Sequence, residues 1–261
     1  MMDKIYLGSN LKMYKTISQT RDFLSRLAEL TRDIDREQTK IFIVPSYTAL
    51  DRARQTVSTD EIMLGAQNMH WEEEGQFTGE ISPVMLKEIG IDIIEIGHSE
   101  RRHVMGETDE EENKKVLSAL GHGFIALLCV GETGEQKEMD LSDEVLATQL
   151  KIGLHGVTPD QLGRVWIAYE PVWAIGVNGI PAKAEYADEK HAVMKKVLKN
   201  MYGAAAEKIP VLYGGSVNLE NCEELSACPN IDGLFVGRTA WDADRFNQLI
   251  RMSIPRFMGK K

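Results

Sequence analysis

Eight short apolar runs recur along the chain, at residues 4–10, 41–44, 62–66, 91–96, 124–130, 164–169, 211–213 and 234–236. Each is short enough for a buried strand. Between them lie longer amphipathic or polar stretches. Residues 16–30 predict a helix with Ile17, Leu24, Leu27 and Leu30 on one face and Arg21, Asp22, Arg26 and Glu29 elsewhere. Pro45 stops the second run, and Ser46 is placed to cap the helix after it. Ser82-Pro83 reads as an N-cap followed by proline at the first helical position. The charged residues 132–140 lead into a helix from about 141. Residues 185–201 predict a helix whose stripe is Tyr186, Val193, Val197 and Met201, and a last helix covers about 242–252. Residues 67–80 form a polar, glycine-containing loop too long for a simple connection, and loops of that length usually carry function or are disordered.

Strand and helix alternate throughout, which implies parallel pairing. Eight such units, with no linker or break in composition, fit a closed (β/α)8 TIM barrel as a single domain over residues 1–261. An open doubly wound sheet would carry Gly-x-Gly-x-x-Gly after its first strand, and Gly8-Ser9-Asn10-Leu11-Lys12 is not that turn.

Composition narrows the function more than the fold. The 261 residues are 43% hydrophobic, enough for a large core, and the formal net charge is −10. That charge argues against nucleic acid and anionic membrane as partners, and an anionic substrate would need positive groups gathered locally. Cys129, Cys222 and Cys228 form no Cys-x-x-Cys pair, so neither a disulfide framework nor a zinc site is expected. No signal-peptide core or membrane-length run is present, which makes the cytoplasm the expected compartment.

The candidate chemistry lies where strands end. Glu170 follows the sixth run; Pro171 stops the strand and a loop of glycine and small residues follows, from Gly176 to Ala182. Asn10 and Lys12 are two residues apart, so in a continuing strand both project to one face. His98 closes the fourth run just before a short helix, and a helix N-terminus disfavours the imidazolium. His98 and His103 are not at helical ligand spacing and no His-x-x-x-His occurs, so no metal is expected. Gly176, Gly214-Gly215-Ser216 and Gly237-Arg238 are glycine turns. Those after strands seven and eight match the usual phosphate site of a barrel.

Taken together, Asn10-x-Lys12-Met13, residues 65–68, 77–82 and 97–102, Tyr169 to Gly176, and Tyr213 to Val217 resemble triosephosphate isomerase motifs, in the family's order over nearly the whole chain. The resemblance implies isomerisation between a ketose phosphate and an aldose phosphate through an enediolate, without cofactor or metal. Glu170 would be the base, His98 the neutral electrophile, Lys12 the positive charge, Asn10 an orienting group, and Glu100 a support near Lys12. The pairing of a Glu base with a neutral His comes from that family's own chemistry and not from spacing. The loop 67–80 would be a homodimer loop, with Thr78 reaching the neighbour's site.

The chain departs from the family pattern at Leu11 and Tyr14, in the lid at residues 177–182, and at Arg238. All surround the substrate and not the reacting centre. The default substrate is therefore a triose phosphate, with a four-carbon ketose phosphate such as erythrulose phosphate as the alternative. A catalytically inactive binding barrel and a metal-dependent aldolase or epimerase are the competing classes.

Overall fold

The computed structural model describes residues 2–176 and 179–260. Its strands are β1 (Ile5–Asn10), β2 (Thr39–Val44), β3 (Met63–Ala66), β4 (Ile93–Ile96), β5 (Ile125–Val130), β6 (Val165–Tyr169), β7 (Val211–Tyr213) and β8 (Gly233–Val236). Each pairs in parallel with the next, and β8 returns to β1. The expected (β/α)8 barrel is present, and the apolar runs place every strand to within two residues.

Ten α-helices occur among the described residues: α1 (Ile17–Leu30), α2 (Leu50–Thr56), α3 (Pro83–Ile89), α4 (Ser99–His103), α5 (Asp109–Gly121), α6 (Gly134–Glu138), α7 (Ser142–Gly153), α8 (Ala184–Tyr202), α9 (Cys222–Ala227) and α10 (Ala243–Met258). The Ser82 hydroxyl accepts from the Met85 amide and Pro83 is the first residue of α3, as read from sequence. Four expectations need correction. Ser46 caps nothing; its hydroxyl donates to the Lys12 carbonyl at 2.9 Å. Ile17 is 48% exposed, and Phe23 takes its place in the buried face of α1. Part of the charged stretch 132–140 is itself helical, because Thr133 and Gln136 form a capping box at the start of α6. The last helix runs past residue 252 and contains Pro255.

Pore and helix layers divide by strand alternation. Tyr6, Phe42, Ile93, Leu127, Trp166, Leu212 and Phe235 point inward and fill the barrel. Ile5, Leu7, Ile94, Ile96, Leu128 and Ile167 point outward and pack under the helices. The lower pore is closed by rings: Tyr6 meets Trp166 edge-on at 4.8 Å, and Phe42 lies 5.5 Å from both Trp166 and Phe235. Gly8 makes room for this plug, since a Cβ there would lie 2.1 Å from the tip of Phe42. Polar groups are thereby pushed to the C-terminal ends of the strands. No helix among the described residues is long and apolar enough to cross a membrane.

The stripe on α8 also differs from expectation. Tyr186, Val193, Val197 and Met201 are only partly buried, and the buried face is Ala187, Lys190, His191, Met194 and Leu198. His191 is wholly buried between the rings of Tyr169 and Tyr213, with Nδ1 2.7 Å from the Ala187 carbonyl. Burial lowers its pKa to about 4. The unfolded chain takes up this proton near pH 6.5, so between about 4 and 6.5 it binds more protons than the fold does. Stability should therefore fall as pH drops through that window, by up to about 3 kcal/mol from this group. Denaturant midpoints between pH 7 and 4 test this: His191→Gln should show a shallower decline than the parent, and equal slopes would refute the assignment.

Candidate active site

Closure of the barrel brings the ends of β1, β4, β6, β7 and β8 around one cavity of about 250 Å³. Asn10, Lys12, His98, Glu170, Gly176, Gly214, Gly215, Ser216, Gly237 and Arg238 all line it, as do Phe235 and Trp241. Glu100 and Thr78 do not. Glu100 stands behind Lys12, and Thr78 is exposed in the 67–80 loop. Val177 and Asn178 of the expected lid lie outside the described residues; Gly176 and Pro181 on either side of them face the cavity.

Glu170, after β6, is held by groups that follow β4, two strands away around the barrel. One carboxylate oxygen accepts from the Ser99 amide at the start of α4 at 2.9 Å, and the other lies 3.5 Å from His98 Nε2. The residue is 3% exposed. Gly214 permits this placement, because a Cβ there would meet the Glu170 side chain at 3.1 Å. The Gly214 amide itself donates to the Tyr169 carbonyl at 2.7 Å and is not available to a ligand.

His98 is the N-cap of α4. Its Nδ1 accepts from the Glu100 amide at 3.1 Å, so the neutral ring carries its proton on Nε2, the nitrogen that faces Glu170. This bears on metals. Glu95, His98 and Glu170 offer donor atoms within 4.8 Å of one another, a grouping that spacing along the chain did not reveal. With Nδ1 spent on a backbone N–H, however, Nε2 has no lone pair to give a cation.

Lys12 has a left-handed backbone, φ 51°, which is rare for a residue with a side chain and costs about 1–3 kcal/mol. Four contacts hold it there. Its amide donates to Asn10 Oδ1 at 2.6 Å, and its carbonyl accepts from Ser46 Oγ at 2.9 Å and Gln67 Nε2 at 2.7 Å. Its ammonium donates to Glu100 at 2.6 Å. Burial acts to raise the Glu100 pKa, but the Lys12 ammonium and His98 together outweigh it and leave the carboxyl below its ordinary value. Asn10 in turn accepts from Gln67 and donates to Glu95 at 3.0 Å. After β8, the strand that pairs with β1, Arg238 is an exposed cation that no described residue pairs with.

Sequence reasoning missed several parts. Trp241 donates from its indole to the Asn10 carbonyl at 2.9 Å, and the Tyr14 ring packs against it at a tilt, with centroids 4.5 Å apart. Glu132, fully buried, accepts from Tyr169, Trp173 and Tyr186 behind the lid. Glu95, also fully buried, lies under Asn10. Its signal was visible: one carboxylate inside an otherwise apolar end of a strand.

Comparison with known proteins agrees with this layout. A family model described as triosephosphate isomerase matches residues 5–253. A Rhizobium etli protein named L-erythrulose-1-phosphate isomerase is 45% identical over 248 residues, covering 94% of this chain and 91% of that protein. Proteins of the same name from Brucella abortus and Rhizobium meliloti are each 44% identical, covering 95% of this chain and 96% of their own lengths. On the family match and on identity over nearly its whole length, the chain belongs to the triosephosphate isomerase family.

Proposed function

We propose that this chain isomerises a four-carbon ketose phosphate, L-erythrulose 1-phosphate, by proton transfer between adjacent carbons. The observation that carries the reading is the convergence of Glu170, His98, Lys12 and Asn10 on one cavity; the relatives' shared name selects the number of carbons. The triose phosphate expected by default gives way to the four-carbon alternative on that ground, since those relatives match nearly end to end. An inactive binding barrel would have no use for a carboxylate, a neutral imidazole and an ammonium aimed at the same space.

The chemistry follows from the groups. In a 2-ketose 1-phosphate the carbonyl is at C2, and C3 bears a hydrogen and a hydroxyl. Glu170 leaves the Ser99 amide and removes the C3 proton; the C–H electrons form the C2–C3 double bond and the carbonyl oxygen takes up negative charge. The Nε2–H of His98 and the ammonium of Lys12 stabilise that oxygen, and donors already oriented for developing charge are the largest catalytic contribution in many enzymes. Transfer of the C3 hydroxyl proton to the C2 oxygen, together with return of the abstracted proton from Glu170 to C2, moves the carbonyl to C3 and leaves a hydroxyl at C2. The phosphate is read toward the turns after β7 and β8, where Ser216, Gly237 and Arg238 line the wall. Metal-dependent aldolase or epimerase chemistry is disfavoured by the tautomer of His98.

The active form is read as a homodimer. Met13, Tyr14, Phe77, Val84, Met85, Val104 and Met105 are exposed apolar side chains. All lie in the segments that follow β1, β3 and β4, and Phe77 belongs to the 67–80 loop that carries Thr78. So much apolar surface in one region suits a protein interface.

Three measurements test these readings. Glu170→Ala should lower kcat by about 10²–10⁴-fold in a folded protein, and near-normal turnover would remove Glu170 as the base. The ratio of kcat/KM for L-erythrulose 1-phosphate over dihydroxyacetone phosphate should exceed about tenfold, and Arg238→Gly should reduce it. A triose preference untouched by that substitution would overturn the four-carbon assignment. Light scattering at micromolar concentration should give twice the chain mass of 29.3 kDa; a fully active monomer would contradict the dimer.

A further inference from the structure

Glu95 is a buried carboxyl beneath this site that the proposed proton transfer does not use. It belongs to the inward row of β4, directly above Ile93, at a depth where the adjacent strand presents Leu127 and Cys129. Its exposure is 0%, and it lines no part of the cavity above it. One oxygen, Oε1, accepts from Asn10 Nδ2 at 3.0 Å and has the Cys129 thiol at 4.0 Å. The other, Oε2, is buried with no hydrogen-bond partner. A carboxylate buried with a single neutral donor is expensive.

The surroundings make ionisation harder. From the end of β6, Glu170 brings a carboxylate whose oxygen lies within 4.8 Å of Glu95. From the end of β4 and the start of α4 come His98 and Glu100, and from the turn after β2 comes Tyr47. From the end of β1 comes Lys12, the nearby cation, but its ammonium is bonded to Glu100. The two buried carboxyls are not equivalent. Glu170 has the Ser99 amide and the Nε2–H of His98 to stabilise its charge, whereas Glu95 has only Asn10. Two like charges this close are not both ionised without a large penalty, so the proton resides on Glu95.

We propose that Glu95 is a positioning residue of this active site: its carboxyl fixes the Asn10 amide from below and shares a single ionisation with Glu170, keeping that negative charge on the base. The inference rests on the reading of Glu170 as the base. By accepting from Nδ2, Glu95 decides which end of the Asn10 amide faces the Lys12 backbone, and so helps to hold Lys12 in its left-handed conformation. Its proton is carried by Oε2, the oxygen without an acceptor role. Burial first, and the Glu170 charge second, raise the Glu95 pKa well above the ordinary carboxylate range. When Glu95 does ionise, at high pH, a second negative charge appears beneath the oxygen that must become anionic, and turnover should fall.

The test uses Glu95→Gln and Glu95→Val in the full chain, with two readouts. Infrared difference spectra at neutral pH should contain the carbonyl stretch of a protonated carboxyl that is absent in Glu95→Gln. The pH profile of kcat/KM should have an alkaline limb that Glu95→Gln moves upward by about one unit or removes. Glu95→Val should lose about tenfold or more in kcat/KM at all pH values, because Asn10 Nδ2 is left without an acceptor. Glu95→Gln should recover much of that loss, since its amide oxygen still accepts. The proposal is overturned if the protonated-carboxyl band is missing from the parent, or if the pH profiles of parent and Glu95→Gln superpose. The infrared readout does not require turnover, so a failed assignment of Glu170 as base would leave that result interpretable.

Discussion

The hydrogen bond from the Ser99 amide to Glu170 spans 71 positions of sequence and joins the ends of two strands that are not neighbours. It exists only if β4 and β6, with β5 between them, end at the same height. The rest of the site is set by closure of the sheet, which returns β8 to β1. His98 can face Glu170 because α4 begins immediately after β4, and Lys12 can face both because β1 closes the ring against β8. A change that opened the barrel or shifted one strand's register would separate the groups without touching any of them, since a one-residue slip sends each side chain to the other face.

The chain distributes its charges accordingly. On the proposed reaction a protein of net charge −10 receives an anion, and the cavity offers few cations for it. Lys12 is held by a strained backbone and by Glu100, so its position is fixed while its charge is partly offset. Arg238 is the reverse: exposed, unpaired among the described residues, and at the rim. The first arrangement suits stabilising charge at a defined point, and the second suits drawing a phosphate toward the opening, where rim charges act mainly on encounter.

The strands were legible because a buried parallel strand leaves a continuous apolar run, and eight such runs leave little choice of fold. The residues now around the cavity were legible through motif resemblance; spacing alone could not have joined Asn10, His98 and Glu170. What was missed has physical reasons. The α8 stripe was misplaced because its inner face includes Lys190 and His191, polar residues that a search for apolar periodicity passes over. Helices α5 and α6 are announced by capping boxes, Thr108 with Glu111 and Thr133 with Gln136, and not by strong apolar stripes. Glu95 was absorbed into a strand because an isolated charge in such a run reads as noise until the pore is built around it.

The aromatic plug formed by Tyr6, Phe42, Trp166 and Phe235 gives the barrel a single working end. The lower pore is filled by interlocking rings, and the cavity lies above them at the C-terminal ends of the strands. On the proposed reaction, substrate and product would share the doorway at that end. A proton taken from a bound sugar would have the same exit as the sugar itself. While that doorway was occupied, the hydrogen on Glu170 would have two destinations, the neighbouring carbon or the small set of groups lining the vessel. Retention of the original hydrogen in the product would then be a property of the architecture of the barrel, governed by how long its entrance stays filled.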